Sequence, residues 1–221
     1  MDVFEETAAA FARHDGRTQA NNADVCEQLP RASVLVPLFV RNGKMHTLMT
    51  HRSALLRTSA GEVCFPGGKR DPGDKDEVHT ALREAHEEIG LLPSDVHVIC
   101  TLQPVISKNV LLVTPVVGFI PESFRARPNP AEVSAAFAVP LDLFVGPAAA
   151  EAAPSLSFDF VEPDTGAAYR IWGLTAAVAL TVALVALKTK AERHAAAFDA
   201  DGLMRSLGRR LRQRMTTLSK L

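Results

Sequence analysis

Three glutamates in the stretch ALREAHEEIGL, Glu84, Glu87 and Glu88, are the residues of this chain whose type and spacing best suit chemistry. On a helix advancing about 100° per residue, Glu88 falls near +40° from Glu84 and Glu87 near −60°, so the three share an arc of roughly 100°. Val78, Ala81, Leu82, Ala85 and Ile89 take the adjoining arc, the apolar stripe of a helix packed on a core. Unpaired, the arrangement is poor helix chemistry. Like charges at i and i+4 cost about 0.2–0.5 kcal/mol, and Glu87 and Glu88 sit at the unfavourable end of the helix dipole. A divalent cation reverses both penalties, and an all-oxygen donor set suits Mg²⁺ or Mn²⁺. The bland alternative is a solvated Glu-rich face on which Arg83 reaches Glu87 one turn on.

Such a helix must be positioned against whatever it acts on. Glu62 to Phe65 reads as a short strand and Pro66-Gly67-Gly68 as a tight turn, where missing side chains let backbone N–H groups approach an anion. Lys69 and Arg70 follow at once as candidate phosphate contacts, and Arg57 upstream suits a bidentate grip. A P-loop is excluded: it needs Lys-Ser/Thr after G-x-x-x-x-G, whereas Arg70 follows Lys69 and Val63 stands where the first glycine belongs.

These residues resemble the Nudix box, G-x5-E-x7-R-E-U-x-E-E-x-G-U with U aliphatic. Arg83, Glu84, Glu87, Glu88, Gly90 and Leu91 stand at R-E, E-E and G-U, with Ala85 in the aliphatic slot. The front half is displaced by one residue: Lys69 and Lys75 stand at the positions of Gly and Glu, with Gly68 and Asp74 as shifted equivalents. Upstream, Thr50, Arg52, Ser53, Arg57, Gly61, Phe65, Pro66, Gly67 and Gly68 are similar in spacing to the extended signature of the coenzyme A diphosphatase branch. The resemblance implies an α/β fold, an α/β/α sandwich with a mixed β-sheet and a loop-helix-loop metal site. In it Glu84 and Glu88 hold Mg²⁺ or Mn²⁺, Glu87 or Glu132 accepts a proton from water, and Arg52, Arg57, Gly67, Gly68, Lys69 and Arg70 contact the substrate. The implied reaction is hydrolysis of the pyrophosphate of CoA and acyl-CoA to 3′,5′-ADP and 4′-phosphopantetheine. Two rivals stand beside it: a Nudix diphosphatase for ADP-ribose or dinucleotides, which has no need of Arg52 and Arg57, and a non-catalytic binding module, which has no need of three repelling carboxylates.

Glu132 resembles the second carboxylate that several Nudix enzymes bring to the site. Local chemistry offers a plainer account, a helix start with Asn129 as cap, Pro130 first and Glu132 as the N3 acid. His79 and His86 lie opposite the carboxylates and about 10.5 Å apart along a helix, too far to share a metal, and are expected in solvent.

The remaining chain is read for organisation. Ser33–Val40 and His46–Arg52 read as strands joined by Asn42-Gly43, a strong hairpin signal. Further strands fall at 96–106, 111–120, 157–162 and 168–173, and a short helix over Val3–Phe11. The expected division is an N-terminal helix and loop over 1–30, a Nudix domain over 31–200 and a basic tail over 201–221. The charge-free segment Ile171–Leu187 is 17 residues, at the bottom of the spanning range, and is expected as a buried helix from Thr175, not a membrane span. At 221 residues, 47% hydrophobic and 22% charged, the composition is that of a globular domain, and a net charge of −1 argues against nucleic acid as a partner. Three widely spaced cysteines, Cys26, Cys64 and Cys100, fit a reducing compartment. The stretch Ser219-Lys220-Leu221 is the tripeptide that the peroxisomal import receptor reads at a free C-terminus, so the expected address is the peroxisomal matrix.

Overall fold

Strand β1 (Arg31–Arg41) is the axis of the sheet, and its alternation sets the two sides of the molecule. Leu35 and Phe39 face one core while Val36 and Leu38 face the other, as period-two geometry requires. The computed structural model describes residues 3–16, 29–146 and 156–187. Cys26, most of the expected linker, the basic tail and Ser219–Leu221 lie outside these residues, as do the expected boundaries at 200 and 201.

Asn42 and Gly43 adopt positive φ, 52° and 71°, the twist a two-residue hairpin needs, and join β1 to β2 (Lys44–Arg52). Only the far half of β1 pairs with β2. Its near half, Ala32–Val34, pairs instead with β4 (Gly67–Lys69), while β2 runs on to pair with β3 (Val63–Cys64) and with β8 (Val133–Pro140). On its other edge β1 pairs in parallel with β7 (Leu112–Phe119), which carries β5 (His97–Thr101) and β6 (Val105–Ile106). The result is a mixed eight-stranded sheet. The sheet splits where β1 and β2 part, and the candidate site lies there.

Helix α2 (Glu77–Ile89) covers one face through Ala81, Ala85 and Ile89, all fully buried. Asp76 caps its start by accepting the His79 N–H at 2.7 Å, and it ends on Gly90 in the left-handed conformation, whose N–H donates to His86 O. The opposite face is covered by α1 (Val3–Phe11) and α3 (Gly173–Ala186), which completes the α/β/α arrangement. Helix α3 begins at Gly173 rather than at Thr175, directly after a hairpin of β9 (Ser157–Val161) and β10 (Ala168–Trp172). The charge-free segment thus divides between a strand end and a helix buried on most of its residues, and no described helix is long and apolar enough to cross a membrane. The Thr175 hydroxyl donates to Val63 O at 3.0 Å and ties the start of α3 to β3.

Candidate active site

One turn of α2 brings Glu84 and Glu88 to the same side, and the third carboxylate comes from Glu132. Among the described residues, oxygens of Glu84, Glu88 and Glu132 all lie within 4.8 Å of one another. The segment carrying Glu132 is pinned to the end of α2: Asn129 N–H donates to Glu88 O and Arg127 N–H to Ile89 O. Ser53 N–H, just past β2, donates to Glu132 O.

The helix start expected at Asn129 is not there. Residues 130–132 form a turn that leads into β8. Asn129 does accept the Ala131 N–H with its side chain, and its backbone oxygen accepts from Glu132 and Val133. Helix starts and Asx turns share this chemistry. Val133, Phe137 and Val139 decide between them, because their alternation buries one face of β8 against the rest of the sheet.

Glu88 is only 2% exposed, and its carboxyl is pushed up to about 7, first by burial and then by the charges of Glu84 and Glu132, against the Gly67 N–H and Arg52. Glu84 is raised for similar reasons, burial first, with Arg83 opposing. The compensation within the chain is incomplete. Gly67 N–H donates to Glu88 Oε2 at 3.0 Å, while Arg52 Nη1 stands at 4.0 Å from Oε1 and the Arg52 Nε is buried without a hydrogen-bond partner.

The glycine pair earns its place by close approach. A Cβ on Gly68 would lie 2.5 Å from the Glu84 carboxylate, and one on Gly67 would run into the backbone of Ser33 and Val34. Pro66-Gly67-Gly68 is accordingly not the tight turn expected. Gly67–Lys69 is extended and paired to β1, and the Gly67 N–H expected to face an anion is spent on Glu88.

Lys69, Gly67, Gly68, Arg52 and the three clustered carboxylates line one cavity of about 1010 Å³. Other expected contacts do not reach it. Arg70 donates instead to Asp74 O and Lys75 O and faces Glu77. Arg57 is exposed on the loop after β2, although its neighbours Thr58 and Ser59 line the cavity. The Glu87 side chain is half exposed, pairs with Arg83 at 3.1 Å and is absent from the lining.

Asp74, the shifted equivalent of the first acid, also stays outside the cluster. Its buried side chain accepts from Arg83 Nε at 3.0 Å and Nη2 at 2.9 Å, from the Thr80 hydroxyl and from Asp71 N–H. His79, expected in solvent, approaches it at 2.8 Å. Arg83 chiefly holds the Asp74 carboxyl well below the usual carboxylate range, and Asp74 raises the guanidinium in return. Arg83 then reaches Glu84 at 2.9 Å, so this network fixes the helix face on which the metal-type cluster sits.

The NUDIX domain model matches residues 29–158, which contain every residue of the cluster and its support. The chain belongs to the Nudix family. Its relatives include the mouse protein named peroxisomal coenzyme A diphosphatase NUDT7, 47% identical over 165 residues, 71% of this chain and 70% of that one. Nudix hydrolase 15, mitochondrial, of Arabidopsis thaliana is 41% identical over 82% of this chain, and the match spans 64% of that protein. The uncharacterized Nudix hydrolase NudL of Photorhabdus laumondii is 40% identical over 66% of this chain and 80% of its own length. This Nudix protein is therefore a hydrolase of the diphosphatase type, and Nudix hydrolases generally use divalent metal ions. The residues present fit that requirement: three carboxylates converge, two of them are driven up in pKa by burial and mutual charge, and Gly68 leaves the space that Glu84 fills.

Proposed function

We propose that this Nudix diphosphatase hydrolyses the pyrophosphate bond of coenzyme A and acyl-CoA, giving 3′,5′-ADP and (acyl-)4′-phosphopantetheine. The observation that carries the substrate is the 47% identity to the mouse protein named a coenzyme A diphosphatase. The upstream residues Arg52, Ser53 and Arg57 support the same reading.

Glu84 and Glu88 would hold Mg²⁺ or Mn²⁺, which suit an all-oxygen donor set, with Glu132 beside them. Such a cation supplies charge for the pyrophosphate oxygens and a lower pKa for the attacking water. Of the two carboxylates expected to take the proton, Glu132 lines the cavity and Glu87 is tied to Arg83, so Glu132 is the better placed base. Lys69 offers a mobile cation to the departing phosphate, and Arg52, beside Glu88, binds on the same side. Arg83 and Asp74 act through position, holding Glu84.

The test incubates the protein with CoA, hexanoyl-CoA, ADP-ribose and NADH under Mg²⁺ and then Mn²⁺, with products identified by mass. 3′,5′-ADP from both CoA and hexanoyl-CoA is expected. Preferential cleavage of ADP-ribose or NADH overturns the substrate assignment, and absence of all turnover restores the binding-module rival.

We also infer a peroxisomal address, supported by the mouse relative's name and by Ser219-Lys220-Leu221 as the receptor contact. A mitochondrial name among the plant relatives means that address is not a property of the family. A tagged chain in cells should enter peroxisomes and lose them when Leu221 is removed; cytosolic retention of the intact chain refutes it.

A further inference from the structure

The cavity lining is of two kinds. Part of it is the clustered carboxylates with Arg52 and Lys69, and part is an apolar wall of Val105, Ile106, Val113, Trp172, Leu174 and Val178. Nothing in the reaction above uses this wall. Pairing of β6 with β7 brings up Val105, Ile106 and Val113, and the junction of β10 with α3 brings up Trp172 and Leu174. Trp172 remains 43% exposed although most large apolar side chains here are covered. Lys108 lies 4.8 Å over its ring and is paired with Glu62, so the cation on this side of the cavity already has a carboxylate.

We propose that this wall is the subsite for the pantetheine arm of the substrate and the acyl chain it carries, and that the 3′-phosphoadenosine half leaves the pyrophosphate in the other direction. The inference rests on the coenzyme A reading. The two halves of the substrate differ in charge. The nucleotide half has a phosphate besides the pyrophosphate and needs free cations, which a wall of six apolar side chains and one neutralised lysine does not offer. The pantetheine arm is uncharged and its acyl extension is apolar, so it gains from that wall, by about fourfold in affinity for each methylene fully buried. Lys69, in the same lining as the carboxylates, is exposed and offers such a cation. The charges favour one orientation of the substrate.

The chain contains a single tryptophan, so emission excited beyond the absorption of Tyr169 reports on this wall alone. The wild-type protein with Mg²⁺ is titrated separately with 3′,5′-ADP and with acetyl-, butyryl- and hexanoyl-4′-phosphopantetheine, products that no longer turn over. The acyl-phosphopantetheines should shift Trp172 emission to saturation and tighten by about fourfold per methylene, while 3′,5′-ADP leaves the spectrum unchanged. A shift with 3′,5′-ADP and none with the pantetheine products reverses the orientation and overturns the proposal. A second measurement uses Trp172→Ala and Leu174→Asn, with circular dichroism to verify folding, and reads the ratio of kcat/KM for hexanoyl-CoA to that for CoA. That ratio should fall at least tenfold in both, and an unchanged ratio overturns the proposal. If wild-type protein cleaves neither CoA nor acyl-CoA, the coenzyme A reading itself fails. That result is distinct from a reversed orientation, in which turnover persists and Trp172 answers to the nucleotide.

Discussion

Asp74 and Glu88 are both buried carboxylates set against helix α2, with side chains 1% and 3% exposed, and the chain treats them in opposite ways. Asp74 is given a guanidinium, a hydroxyl and a backbone N–H, and its carboxyl drops well below the usual range. Glu88 is given one backbone N–H and a guanidinium at 4.0 Å beside two more carboxylates, and it rises to about 7. A buried charge is tolerated only when it is paired. The Asp74 network is complete within the protein, whereas the charges of the Glu88 cluster are not balanced by the chain's own groups, and on the proposed reading a cation from outside completes it. On that reading stability resides in the first and chemistry in the second.

Glu88→Gln should break this contrast most visibly. It removes a cluster charge with little change in volume, so turnover on CoA should fall by about 10³-fold or more, the scale of losing an essential acid–base or metal-holding group. At pH 8 the metal-free variant should melt at or above the wild type, because an uncompensated buried charge has gone. Near-normal turnover at saturating Mg²⁺ defeats the site assignment.

Asp74→Asn should do the reverse. It leaves Arg83 beside a neutral partner in a buried network, and breaking such a pair costs roughly 3–5 kcal/mol. Urea melts should show that loss with or without Mg²⁺. Activity, measured where the variant is still folded, should fall far less than in Glu88→Gln, because Arg83 keeps its contact with Glu84. A variant as stable as the wild type would mean that Asp74 holds nothing.

How far the contrast could be read beforehand depends on whether partners are close in sequence. The face of α2 was legible because helical period places Glu84 and Glu88 together from local spacing alone, and the β1–β2 hairpin was legible from Asn42-Gly43. Glu132 is legible as a candidate site carboxylate but not its setting, since Asn129 makes the same side-chain hydrogen bond at a helix start as in the turn observed, and the alternation of Val133, Phe137 and Val139 in β8 distinguishes the two. Asp74 was placed by its motif but not by its role, because the groups that neutralise it lie on the following helix. Lys69 and Arg70 hold a lesson that was available in principle: adjacent residues of an extended chain point to opposite sides, so only one of them could face the cavity.

The metal-free protein should also show the contrast as a dependence on pH. Glu88 titrates at about 7 when folded against an ordinary 4.5, so between those values the native state binds more protons than the unfolded one. Stability therefore falls as pH rises through that window, by about 3 kcal/mol when complete. Asp74 has the opposite sign: its contribution is present above the ordinary carboxylate pKa and is lost in acid. From pH 5 to 8 the slope thus belongs to the cluster. It should be reduced in Glu88→Gln, where Glu84 remains raised by burial, and flatten when Mg²⁺ is added, and a wild-type profile parallel to that of Glu88→Gln removes the argument.

The smallest effect expected is at Arg57, which tests whether residues outside the cavity lining sharpen the site. Its side chain is exposed, two residues before Ser59, whose positive φ of 53° helps fold the loop back against the cavity. An exposed arginine meets a phosphate in water, where a charge pair contributes up to about 1 kcal/mol. Arg57→Ala should therefore raise KM for CoA by about three- to fivefold, leave kcat within twofold and leave melting unchanged. The same variant should bind dephospho-CoA, which lacks the 3′-phosphate, no worse than the wild type does, if Arg57 grips that phosphate. Equal losses on both compounds would instead place its contact at the pyrophosphate or in the shape of the loop. A fall in kcat would mean that the loop closes over the carboxylates during turnover, and the division between a structural network and a reactive cluster would then have to include a third, moving part.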